Sequence, residues 1–90
     1  MQHNSKNLNI LLKAISKVIK EEREKQGKSI RTFAYEYDLQ ISLISRLENA
    51  KNDIKISSLW AVSDALNIPI AEFFEKIQQK LPDNFSMIDL

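Results

Sequence analysis

Within QISLISRLENAK, residues 40–51, a glutamine, two serines, an arginine and an asparagine are interleaved with leucine and isoleucine. Compact amides and hydroxyls beside one guanidinium can match a fixed pattern of donors and acceptors, such as the base edges lining the major groove of a duplex. At about 100° per residue, a helix here puts Ile44 and Leu47 at the centre of one face, with Leu43 and Glu48 at its edges. Ile41, Ser42, Ser45, Arg46 and Asn49 then share the opposite face. A face kept only for solvent carries Lys and Glu in quantity, and this one does not.

Other chemistries find less to work with. Glu21, Glu22 and Glu24 form a carboxylate cluster with no histidine or cysteine at ligand spacing, which reads as a solvated helix face. The one histidine, His3, stands in a polar terminal segment, and there is no cysteine. No nucleophile has a base nearby, and a single glycine cannot make a phosphate-binding loop. Neither catalysis nor a metal or other cofactor is expected. Thirteen Lys and Arg against twelve Asp and Glu leave a net charge of +1, so attraction to a polyanion must come from local clustering. No apolar run approaches the roughly 20 residues of a membrane span, and MQHNSKN is unlike a signal peptide, so a soluble, cytoplasmic protein is expected.

The elements that must position this face are helical. With one glycine and two prolines in 90 residues, most of the chain can run as helices joined by short turns, and the fold class is all-α. Leu8, Leu12, Ile15 and Ile19, flanked by Leu11 and Val18, predict a first helix over 6–26 that Gly27 ends. Ser29 is an N-cap for a second, whose inward stripe is Ile30, Phe33, Ala34 and Tyr37 and which stops near Asp38. The third covers 41–49. The fourth is capped at Ser57 and carries Leu59, Trp60, Val62, Ala65 and Leu66 as far as Asn67. Pro69 opens the fifth, with Ile70, Phe73, Phe74 and Ile77 turned to the core. Trp60, Phe33, Phe73 and Phe74 are expected as core rather than as a stacking platform for bases.

In order and spacing, IKEERE (19–24), KSIRTFAYEYDLQIS (28–42), ISRLENAK (44–51) and SSLWAVSDALNIPIAEFF (57–74) resemble the Xre-type helix-turn-helix family of phage repressors and Cro-like regulators. The resemblance implies a five-helix, lambda-repressor-like domain over 1–80, matched over 19–74, with an extended first helix and a short tail at 81–90. It implies helix 3 in the major groove, with Gln40, Ile41, Ser42, Ser45 and Arg46 where such proteins meet bases or nearby phosphates. Lys28, Ser29 and Arg31 fall at the start of helix 2, where a phosphate is favoured. Asn49, Lys51, Asn52 and Lys55 fall on a loop that meets the backbone. Arg23 and Glu48 are placed together as a partly buried ion pair.

Three positions depart from the family pattern. Asp38 and Ala50 stand where members usually have glycine, and Ile41 occupies an outward position usually held by a polar residue. Ile41 either meets a thymine methyl or belongs to a surface that recognises something other than DNA. The expected partners are double-stranded DNA and a second copy of the chain, forming a dimeric transcriptional regulator on a palindromic operator. The alternative is a protein-interaction module on the same fold. Leu8, Leu11 and Leu12 near one end and Phe85, Met87, Ile88 and Leu90 near the other lie outside the matched region. They either cover one another within the chain or, the reading preferred from sequence, belong to a two-fold interface in which the tail or helix 5 of one subunit packs against the other.

Overall fold

The computed structural model describes residues 5–50 and 53–88. Among them are five helices and no strand: α1 (Ser5–Lys25), α2 (Ile30–Glu36), α3 (Ile41–Glu48), α4 (Ile56–Ala65) and α5 (Ile70–Gln79). The expected all-α fold is therefore found. His3, Lys51, Asn52 and Leu90 lie outside the described residues. The long helix α1 packs against α3 and α5, α2 against α3, and α4 against α5. Val18, Ile19, Phe33, Ile44, Val62 and Phe73 meet in the core, where they lose essentially all solvent contact.

Four helix ends are made alike, by a residue in the left-handed conformation just past the cap: Gly27, Asp38, Ala50 and Asn67, with φ of 68°, 53°, 54° and 59°. After α2 the Leu39 N–H bonds the Ala34 carbonyl at 2.8 Å and the Asp38 N–H that of Tyr35 at 3.4 Å. After α4 the same pair of bonds recurs, Ile68 to Ser63 at 3.0 Å and Asn67 to Asp64 at 2.9 Å. These are Schellman closures, which satisfy terminal carbonyls and turn the chain sharply. Ala50 adopts this geometry without glycine's freedom, at a cost of roughly 1–2 kcal/mol. The turns that lack the family's usual glycines are thus preserved.

Some boundaries and faces differ from the sequence-based expectation. Helix α4 begins at Ile56 with Lys55 at its N-cap, so Ser57 sits in the first turn instead of capping it. The Lys55 carbonyl already accepts the Leu59 N–H at 3.1 Å, which fixes the start there. Trp60 and Phe74, expected in the core, are 49% and 42% exposed. Each follows a buried neighbour, Leu59 or Phe73, and a step of about 100° carries it off the inward stripe. Tyr37 is likewise exposed, its ring 5.4 Å from the buried Phe33 ring.

The two ends of the chain meet in the fold. The Asn7 side-chain amide donates to the Ser86 carbonyl at 2.7 Å, and Phe85, Met87 and Ile88 are half-buried. Within the chain the tail thus meets the first turns of α1 through this bond.

A buried ionic contact joins α1 to α3. The Arg23 Nε donates to Glu48 Oε2 at 2.6 Å and its Nη2 to Oε1 at 2.8 Å. Its Nη1 donates to the Lys28 carbonyl at 2.5 Å. The two side chains are 9% and 6% exposed, so the pair is buried as expected. The bond to Glu48 raises the guanidinium pKa against the opposing effect of burial, and Arg23 keeps its charge. Removing one partner strands the other in the interior, at a cost of about 3–5 kcal/mol. Arg23→Ala and Glu48→Ala are each expected to lower stability by that order. In a denaturant double-mutant cycle, the combined change should cost clearly less than the sum of the two, whereas simple additivity would show that the groups are not coupled.

Candidate nucleic-acid interface

Helix α3 is short, and its two faces are sharply divided. Ile44 and Leu47 are buried, while Ile41, Ser42, Arg46 and Asn49 are exposed and Ser45 is half-buried. The division arises because Arg23 holds Glu48 at one edge of the helix and Leu43 packs against the core at the other. Gln40 is the N-cap residue; it is exposed and spends no side-chain bond on the cap, and its carbonyl accepts from Leu43 at 3.0 Å. The outward polar groups are organised along the helix itself. The Arg46 Nε donates to the Ser42 carbonyl at 3.3 Å. The Asn49 amide donates to the Ser45 carbonyl at 2.8 Å and to its hydroxyl at 3.3 Å. These bonds orient the C-terminal half of the face before any partner arrives.

The flanking residues fall into two settings. Arg31 lines a groove together with Thr32, Tyr35, Leu39 and Ile41, between α2 and the start of α3. Arg46 lines another with Asp53, Ile54, Lys55 and Ser58, between α3 and α4. A cation therefore stands on each side of the α3 face. Ser29 caps α2, its Oγ accepting the Thr32 N–H at 3.1 Å, so part of the helix terminus is already satisfied. The ammonium of Lys28 is engaged by Glu36 at 2.5 Å and lies 5.3 Å from the centre of the Tyr37 ring. That bond raises the Lys28 pKa, with burial opposing. Lys51 and Asn52 lie outside the described residues.

Glu36 and Tyr37 were not foreseen as neighbours of Lys28. The separation of eight residues crosses the turn into α2, and it matches no helical side-chain pairing that a sequence would reveal. The exposed Tyr35 was passed over for a similar reason: a tyrosine within an amphipathic stretch carries no mark of which way it points.

The sequence profile described as helix-turn-helix matches residues 19–73, more than half of the chain. The chain belongs to the helix-turn-helix family. That makes it a DNA-binding transcription regulator by membership. It is 31% identical over 65 residues to the control protein C.MunI of Mycoplasma sp, a match covering 72% of this chain and 88% of that protein. Among solved structures it is similar to the restriction-modification controller protein C.Esp1396I, at 30% identity and a TM-score of 0.70, over 78% of this chain and 91% of the other. The same controller, solved as a tetramer in complex with its natural 35 base-pair operator, matches with a TM-score of 0.71, covering 78% of this chain and 92% of that one.

Among the described residues no helix is long and apolar enough to cross a membrane. For a protein of this family the Lys28–Glu36 pair sets a competition, since a phosphate and the Glu36 carboxylate would seek the same ammonium. A solvent-exposed pair is largely screened and weakly held, so a phosphate can displace it. Glu36→Gln is expected to tighten binding to duplex DNA of any sequence by roughly two- to fivefold at low salt and to steepen its salt dependence. Fluorescence anisotropy across a salt series checks this, and an unchanged slope would place Lys28 away from the phosphates.

Proposed function

We propose that this protein is a restriction-modification controller-type regulator that acts in the cytoplasm, binding operator DNA as a dimer with α3 of each subunit in the major groove. Residues 1–80 form its DNA-binding domain and 81–90 a tail. The carrying observation is the outward face of α3, polar and exposed on a frame similar to a controller solved on its operator. Gln40, Ile41, Ser42, Ser45 and Arg46 meet bases and the adjoining backbone. Lys28, Ser29 and Arg31 on one side, with Asn49, Lys51 and Asn52 on the other, meet phosphates. Half-sites about one helical turn apart would follow from two-fold symmetry. Recognition is by binding alone, with no chemical step.

Dimerisation has its own support. Ile56 and Trp60, one helical turn apart on α4, are 61% and 49% exposed, and Phe74 on the neighbouring α5 adds a third exposed apolar side chain. Large exposed apolar side chains on two packed helices suit a self-complementary two-fold contact.

Selection of bound duplexes from a random pool, followed by footprinting, tests the reading. Binding should weaken steeply with salt, as phosphate neutralisation demands and an apolar protein interface does not. Arg46→Ala is expected to relax the selected motif and to weaken specific binding by about 1–3 kcal/mol. Arg31→Ala should weaken all sequences alike and flatten the logarithmic salt slope by about one unit. In light scattering at tens of micromolar, Trp60→Glu is expected to convert a dimer to a monomer, with operator affinity falling at least about tenfold as half of the contacts are lost. A variant that stays dimeric would move the interface elsewhere.

A further inference from the structure

Ile41 is the one outward position of α3 whose side chain has nothing polar to offer, and it is 46% exposed. It is also the first residue of the helix. Helical side chains tilt toward the N-terminus, so Ile41 projects ahead of α3. In helix-turn-helix docking that leading end approaches the base edges most closely.

Its surroundings leave it room to do so. Ser42 and Ser45, beside it on the face, are small, and the larger Arg46 and Asn49 are held along the helix surface by their bonds to the Ser42 and Ser45 carbonyls. Behind it Leu39, which packs against the core, lines the same groove, together with the exposed Tyr35 and the polar Arg31, Thr32, Glu36 and Asp38. Among the groups that base pairs present in the major groove, one is apolar: the methyl on C5 of thymine. A methylated cytosine carries the same group at the same place. An isoleucine facing any other edge would desolvate a donor or acceptor without replacing its hydrogen bond.

We propose that Ile41 is a specificity-determining residue that reads the C5-methyl group of a pyrimidine, one in each operator half-site. This rests on the proposed DNA-binding mode and deepens it, since it names the feature of the base that is read. The isoleucine side chain and the pyrimidine methyl exclude water from each other, and discrimination arises from apolar contact instead of hydrogen bonding.

The test uses the full chain and its selected duplex, in which each thymine is replaced in turn by deoxyuridine, a change that removes only the methyl group. At one thymine in each half-site the replacement should weaken binding by about fourfold, the value of one buried methyl, and by about fifteenfold when both half-sites are changed. The variant Ile41→Ser, checked for an unaltered melting transition, should bind the thymine and uracil duplexes equally. A parallel scan replaces each cytosine by 5-methylcytosine. A gain there, lost in Ile41→Ser and with no thymine sensitive, assigns the same contact to modified cytosine. Binding by the unaltered protein that is indifferent to every pyrimidine methyl overturns the inference and leaves the DNA-binding reading standing. So does a methyl effect that persists in Ile41→Ser. Failure to select any duplex removes both.

Discussion

The buried contact between Arg23 and Glu48 decides where the exposed face of α3 points. One guanidinium grips a carboxylate on α3 through two parallel bonds and the Lys28 carbonyl through a third, so α1, the approach to α2, and α3 are fixed by a single side chain. Hydrophobic packing of Ile44 and Leu47 would hold α3 down without strongly specifying its rotation about its axis, because apolar contacts are non-directional. A bidentate arginine adds the missing direction. Rotation of α3 by even part of a turn would bring Glu48 into the core or carry Ser45 out of reach of a groove. The desolvation cost of burying both charges thus gives orientation, which is what a recognition surface requires.

That orientation would be lost if the connecting turns were slack. Four left-handed residues end four helices within one or two residues of the cap, and the bonds that follow α2 and α4 close in the same manner. Ser63 adds a second lock after α4, its buried hydroxyl donating to the Ile68 carbonyl at 2.6 Å. Alanine at position 50 is the costly member of the set. It is tolerated because its geometry is dictated from both sides, by the end of α3 and by a loop that must return to α4 within a few residues.

The frame was legible in the sequence because its signals are periodic or local. The Leu and Ile stripe of α1, the Ser29 cap, the stop near Asp38 and the two-sided pattern of α3 depend on residues within a turn of one another. The pairing of Arg23 with Glu48 came through family resemblance, since nothing local links residues 25 positions apart. Trp60 and Phe74 were misplaced because an aromatic next to a buried residue raises the apolar score of the whole helix without revealing its own direction. Lys28 with Glu36, and Asn7 with Ser86, depend on how distant segments meet, and no short-range pattern encodes either. At the proposed interface, residue types were readable beforehand, but the self-bonding of Arg46 and Asn49 and the groove behind Ile41 required coordinates.

The charge balance explains why such a surface must depend on shape and base contact. Lys25, Lys28, Lys76 and Lys80 each lie within 4.0 Å of a glutamate, so much of the positive charge is answered within the chain. The Glu21 carboxyl is held below its usual range chiefly by its bond to Lys80. A strongly basic protein would bind any duplex, and the many non-specific sites of a genome would compete with its operator. Internal pairing lowers that background without touching the specific contacts, and it raises the ratio between the two. Under the proposed function, a near-neutral regulator gains selectivity from weak general attraction and recovers affinity by joining two copies of α3 in one symmetrical assembly.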